Sequence, residues 1–190
     1  MRRSRLLFWM GVMVVLCWPA HARLLAQKRV DGFVILNSGD TLRGQMKKVS
    51  YDRYLNHEVK FWYKDGHTHK FFPNELKAFQ IDQRLYESHM IEPRTETRKF
   101  LKVVIRGYCM LYEYMHAVNK GKGGEKEIVL QFYVQKDDGK LHLVNFDRLT
   151  EGNDFYFRDN KELTYDIRIG RYKERHMPEI VARYNRERAL

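Results

Sequence analysis

The chain has 190 residues, 35 Lys and Arg against 24 Asp and Glu, a formal charge of +11, two cysteines and four prolines. Its 44% apolar and 14% aromatic content is enough for a real core and argues against a disordered chain. The length fits one domain, or one with an appendage, and two cysteines exclude a disulfide-dense scaffold and a four-thiolate zinc module.

The N-terminus reads as a segment to be removed. Arg2, Arg3 and Arg5 precede an apolar run from Leu6 to Trp18 broken only by Gly11, and Ala20-His21-Ala22 follows Pro19. Basic residues, a short apolar stretch and small residues at the first and third places of the triplet are the pattern of a cleavable secretory signal, residues 1–22, with a second cut conceivable after Ala26. The alternative is an uncleaved anchor, but a helix crossing a bilayer needs about 20 residues. Leu16 before Cys17 is too large for a lipidation site. Cleavage lowers the charge to +8 and leaves Cys109 as the single cysteine. Strand alternation sets His116 on the face opposite Cys109, so the thiol reads as an apolar filler rather than a nucleophile.

Residues 23–146 then read as strands. Gly32–Leu36 and Thr41–Met46 flank Asn37-Ser38-Gly39-Asp40, a hairpin pattern. Glu58–Lys64 and His67–Phe72 meet at Asp65-Gly66. A two-residue turn there groups Val59, Phe61 and Tyr63 with Thr68, Lys70 and Phe72, and groups Lys60, Trp62, Lys64, His67, His69 and Phe71 on a mainly cationic face. Lys77–Asp82 and Leu85–Ile91 follow, the second also readable as a helical turn. Phe100–Arg106 and Tyr108–His116 are separated by Gly107, and Tyr108, Met110, Tyr112 and Tyr114 alternate onto one face. Ile128–Gln135 returns against Leu141–Phe146 across Asp138-Gly139, which predicts Ile128, Leu130, Phe132 and Val134 on one side with Leu141 and Leu143. The sum is a mainly β, α+β chain of about ten antiparallel strands in a meander, sandwich or barrel.

From residue 147 to 190 the period becomes helical. Leu149, Phe155 and Phe157 mark a short helix. Asp159 or Asn160 caps a second one that runs to Ile169 and stops at Gly170. Met177–Arg188 forms a third, with Pro178 in its first turn and Ile180, Val181 and Tyr184 on one face. The segment packs on or beside the strand domain.

These residues carry a resemblance. Gly32–Leu36, Gly39–Gly44, Phe100–Val103, Leu111–Tyr114, Phe157–Leu163 and Pro178–Asn185 together resemble an uncharacterised family of secreted, β-rich envelope proteins of Gram-negative bacteria. The resemblance implies an envelope protein with a helical tail and carries over no catalytic residue.

Chemistry-bearing patterns are sparse. His67 and His69 stand two apart, a spacing used in metal sites, but Lys60 and Lys64 oppose a cation there. The assignment is therefore no metal, with those histidines as weak candidates, and no cofactor. Lys120–Gly124 lies before a strand rather than a helix, so it reads as a hairpin loop and not a phosphate cradle. No nucleophile elbow, zinc-protease or kinase motif occurs. The candidate ligand-binding residues are Lys60, Trp62, Lys64, His67, His69, Tyr108, Tyr112 and Tyr114, since flat aromatic surfaces beside cations suit glycan or peptide contact.

The expectation is an exported, non-enzymatic envelope module in the periplasm, at the outer membrane or outside the cell. Its basic sheet face would meet an anionic envelope surface, an acidic glycan or an envelope protein. Nucleic acid is set aside, since the chain is exported and has no nucleic-acid motif. Membrane association stays open, without a spanning helix after signal cleavage. The alternatives are an envelope hydrolase assembled from separate strands and a small outer-membrane barrel. The charge is localised: residues 147–190 hold ten basic and nine acidic residues, whereas residues 23–146 hold 22 and 15.

Overall fold

The computed structural model describes residues 28–50, 52–121, 124–152 and 156–188. The signal reading at residues 1–22, the cut after Ala26, Lys122, Gly123 and Phe155 lie outside them. The strands are β1 (Arg29–Leu36), β2 (Thr41–Lys47), β3 (Val59–Trp62), β4 (Thr68–Phe71), β5 (Leu76–Ile81), β6 (Arg84–Glu92), β7 (Thr97–Ile105), β8 (Met110–Lys120), β9 (Glu125–Gln135) and β10 (Leu141–Leu143). They form one ten-stranded antiparallel sheet in the order β10-β9-β8-β7-β6-β5-β1-β2-β3-β4. Two meanders, β1 to β4 and β5 to β10, are joined where β5 pairs with β1. The expected mainly β fold is therefore what forms, as a sheet whose two ends, β4 and β10, do not pair with each other. Among the described residues no helix is long and apolar enough to cross a membrane.

One face of the first half is apolar. Val34, Met46, Phe61, Phe71, Phe79, Ile81, Tyr86 and Phe100 bury together with Leu55, each large side chain contributing roughly 1.5–3 kcal/mol. Gly32 and Gly44 face each other across β1 and β2 because this core leaves no room for more. A Cβ on Gly44 would lie 2.4 Å from the Trp62 carbonyl oxygen and 2.5 Å from the Phe61 ring.

A 3-10 turn, Asp52–Leu55, delivers Asn56 between β7 and β8. There the Asn56 carbonyl accepts from the Phe100 N–H at 3.0 Å, and its carboxamide donates to the Met115 carbonyl. Beyond that point β8 and β9 continue as a paired ribbon as far as Lys120 and Glu125.

In the second half both faces are covered. Leu111, Phe132 and Val134 meet the helices α1 (Phe146–Thr150), α2 (Lys161–Arg168) and α3 (Met177–Arg188), which contribute Leu149, Leu163, Ile167, Ile180, Val181 and Tyr184. On the other face Leu101, Tyr112, Tyr114 and Tyr133 form a separate cluster, with β10 lying against β6. Asn160 caps α2, accepting from the Leu163 N–H at 2.9 Å. Gly170 follows the helix at φ 80°, and Pro178 sits in the first turn of α3.

Two registers differ from the sequence reading, for one reason. Both Asp-Gly pairs belong to three-residue loops. Gly66 N–H donates to the Tyr63 carbonyl at 3.1 Å, and Gly139 N–H to the Lys136 carbonyl at 3.0 Å. Both glycines have positive φ, and Asp65 and Asp138 each accept from the N–H two residues on. This is the three-residue hairpin loop with a left-handed glycine.

The extra loop residue shifts the pairing by one and exchanges the faces of the return strand. Phe61 therefore opposes His69, and Val59 opposes Phe71. In the other hairpin Leu141 opposes Gln135 and Leu143 opposes Tyr133. The two leucines thus lie on the tyrosine side of the sheet, away from Phe132 and Val134.

Candidate functional site

The cationic face forms, with a membership different from the one expected. Opposite the apolar core, β1 to β4 present Arg29, Asp31 and Phe33; then Arg43, Gln45 and Lys47; then Lys60 and Trp62; then Thr68 and Lys70. Arg29 stands directly across from Lys47. One step beyond the Met46–Phe61 pair, the register sets Lys47 across from Lys60, and both border the same cleft. Lys60 is in turn across from Lys70. Four basic residues therefore form a row across four adjacent strands. The neighbouring row is Asp31, Gln45, Trp62 and Thr68.

Trp62 is the fixed point of this surface. The Arg29 guanidinium lies 4.6 Å and the Lys60 ammonium 4.8 Å from its ring centroid, and only 7% of the residue is exposed. Arg43 lies 5.9 Å from the centroid of Phe33. Such contacts orient long cationic side chains along an aromatic surface while leaving their charge in water. Lys70 is paired with Glu58 at 2.9 Å. By contrast, Arg29, Arg43, Lys47, Lys48, Lys60 and Lys64 form no ion pair with any described residue.

Two clefts open among these residues. One, of about 500 Å³, is lined by Lys47, Lys48, Tyr54, Glu58 and Lys60. The other, of about 750 Å³, is lined by Arg29, Asp31, Arg43, Gln45, Trp62, Lys64 and Asp82.

Of the residues picked from sequence, Lys60, Trp62 and Lys64 come together here. His67 and His69 do not, because the shifted register sends them to the face of Phe61 and Phe71. His67 pairs with Asp65 at 3.0 Å, and that hydrogen bond raises its pKa. His69 lies 3.6 Å from Glu75 and packs on Phe71. Among the described residues no three His, Cys, Asp or Glu side chains converge as metal ligands.

The tyrosines are also separated. Tyr112 and Tyr114 are buried in their own cluster, and the Tyr112 hydroxyl donates to Glu87 at 2.9 Å. Tyr108 precedes β8, packs against the helical core and lies under Arg188. It shares no strand face with the other two, because the chain from Gly107 to Cys109 turns between strands. Arg29, Arg43, Lys47 and Lys48 escaped the sequence reading. The available signal was the alternation of Arg43 and Gln45 within the predicted strand Thr41–Met46, with Lys47 one residue past its end, but their neighbours on β1 and β3 depend on long-range pairing.

The shifted titratable groups lie elsewhere. Asp52 bonds Arg84 at 2.6 Å, Tyr86 at 2.8 Å and Lys102 at 3.0 Å, and Lys102 also bonds Glu113 at 2.8 Å. Burial pushes the Asp52 carboxyl up, but the hydrogen bonds from Tyr86 and Lys102 and the nearby positive charges outweigh it, leaving it lowered. Glu87 is lowered, first by its bond to His89 and against burial. These groups neutralise one another and line neither of the two clefts.

The chain matches no protein-family model, no curated protein and no solved structure.

Proposed function

We propose that the protein is an exported, non-enzymatic envelope module that binds an anionic ligand through the outer face of β1 to β3. The observation that carries this reading is the gathering of Arg29, Arg43, Lys47, Lys48, Lys60 and Lys64 along the two clefts, none in an ion pair among the described residues, with Arg29 and Lys60 held on the ring of Trp62. Cations that lack an acidic partner and stand opposite one another in a sheet, as Arg29 and Lys47 do, repel, so the arrangement favours an external anion that relieves the repulsion. The N-terminal pattern at residues 1–22 and the resemblance to exported Gram-negative proteins support an envelope destination. The pairing of Lys102 with Asp52 and Glu113, and of Glu87 with Tyr112 and Arg106, away from the clefts supports binding rather than catalysis.

The test is cosedimentation of the full chain, expressed with its N-terminus, with isolated bacterial envelopes over a salt titration. Binding should fall as salt rises and drop in an Arg29→Gln/Arg43→Gln variant of unchanged melting temperature. Binding that ignores salt, or that the variant retains, removes this reading.

A further inference from the structure

The row of cations is ordered, and so is the row beside it. Arg29, Lys47, Lys60 and Lys70 cross four strands in line, which at a strand spacing of about 4.8 Å covers about 14 Å. Parallel to them run Asp31, Gln45 and Thr68, with the edge of Trp62 between. Asp31 accepts from the Gln45 carboxamide at 3.2 Å, which aims that amide along the row. One row is a ladder of positive charge. The next is a ladder of hydrogen-bond acceptors and amides that includes a carboxylate.

Resting on the reading above, we infer that the ligand is a linear acidic polysaccharide lying across β1 to β4. Its carboxylates meet Arg29, Lys47 and Lys60, and its ring hydroxyls meet Asp31, Gln45 and Thr68. The carboxylate of Asp31 decides between polyanions. It accepts hydrogen bonds from sugar hydroxyls, whereas a polyphosphate has no donor to offer it and is repelled. The shape decides between a chain and a surface. Lys47 and Lys60 line one cleft and Arg29 the other, and a concave site suits a strand of polymer better than a flat bilayer. A row of this length takes several sugar units, so a single uronic acid is too short to engage it.

Opposed like charges also mark the row as costly to the free protein. Relieving it should raise stability while weakening binding, a combination that a merely structural role for these lysines would not produce.

The experiment compares the full chain's affinity for polygalacturonate, fully methyl-esterified polygalacturonate, polyphosphate and phosphatidylglycerol vesicles at one ionic strength. Polygalacturonate should bind about tenfold or more tighter than polyphosphate, and esterification should abolish binding. Lys47→Gln/Lys60→Gln should weaken polygalacturonate about tenfold or more, with an unchanged or higher melting temperature. Asp31→Asn should weaken polygalacturonate alone.

Tighter binding of polyphosphate or vesicles, or an Asp31→Asn variant that gains affinity for every polyanion, overturns the polysaccharide assignment and leaves the basic-face reading standing. Polygalacturonate binding that survives Lys47→Gln/Lys60→Gln overturns the row. Failure of all four probes to bind, while envelopes still do so with salt dependence, overturns the polysaccharide alone; failure of envelopes as well overturns both.

Discussion

The side chain of Asn185 pairs with both backbone groups of Cys109, accepting from its N–H at 2.7 Å and donating to its carbonyl at 2.8 Å. A carboxamide on α3 thus acts as a one-residue strand partner for the chain between β7 and β8. Gly107 makes room for it, since a Cβ there would lie 2.4 Å from the Asn185 nitrogen. Truncation strands a donor and an acceptor at a residue that is fully buried. Asn185→Ala should therefore lower unfolding free energy by about 1–3 kcal/mol in urea titration. A loss below about 0.5 kcal/mol, the range of ordinary surface substitutions, would contradict the pairing.

Gly44→Ala tests the curvature of the first meander. The added methyl meets a backbone oxygen and the buried Phe61 ring, so the sheet must shift to admit it. Overpacking of this kind costs about 1–3 kcal/mol, and calorimetry should show a lower melting temperature. Wild-type stability in this variant would mean that the glycine pair is not held by the core.

Deletion of Lys64 probes the register of the β3–β4 hairpin. With Lys64 gone, Tyr63 still faces His67, and Asp65-Gly66 becomes the two-residue loop that suits right-twisted strands. The pairs Val59–Phe71 and Phe61–His69 should persist, seen as cross-strand nuclear Overhauser contacts. If His69 instead acquires contacts to Trp62, the three-residue loop is not what sets the register.

Acid should destabilise the protein in two steps. Burial, with the charge of Lys99 second, lowers the pKa of His57 from 6.5, and Lys99 lies 2.8 Å from its Nδ1. A lowered folded value means that the unfolded chain takes up the proton first. Stability from this histidine is thus complete above about pH 6.5 and lost as pH falls from there through its folded value. The lowered pKa of Asp52, ordinarily 3.8, obeys the same sign, so its contribution is complete above about pH 4 and lost below. Urea midpoints between pH 8 and pH 3 should fall in both windows, and His57→Gln should flatten only the upper one. A His57→Gln variant whose midpoint follows the wild-type profile from pH 8 to pH 5 would refute the role given to His57, since His67, whose pKa is raised, is common to both.

The sequence alone determined the antiparallel sheet, three short C-terminal helices with a cap at Asp159 or Asn160 and the Pro178 start, and the concentration of excess charge ahead of residue 147, although the first helix ends at Thr150, short of Phe157. Those features follow from periodicity, capping chemistry and composition, all of which are local. It also marked Lys60, Trp62 and Lys64. It misplaced His67 and His69, since Asp-Gly serves both two- and three-residue loops and one residue exchanges the faces of a strand. The local pattern around Asp65 does not contain the information that chooses between them. Burial of Phe71 against Phe61 and Val59 chooses.

The row of Arg29, Lys47, Lys60 and Lys70 was invisible for a related reason. Its members are up to 41 positions apart, and only strand order and register across β1 to β4 bring them into line. Tertiary pairing, set by the apolar face beneath, decided where the charge points.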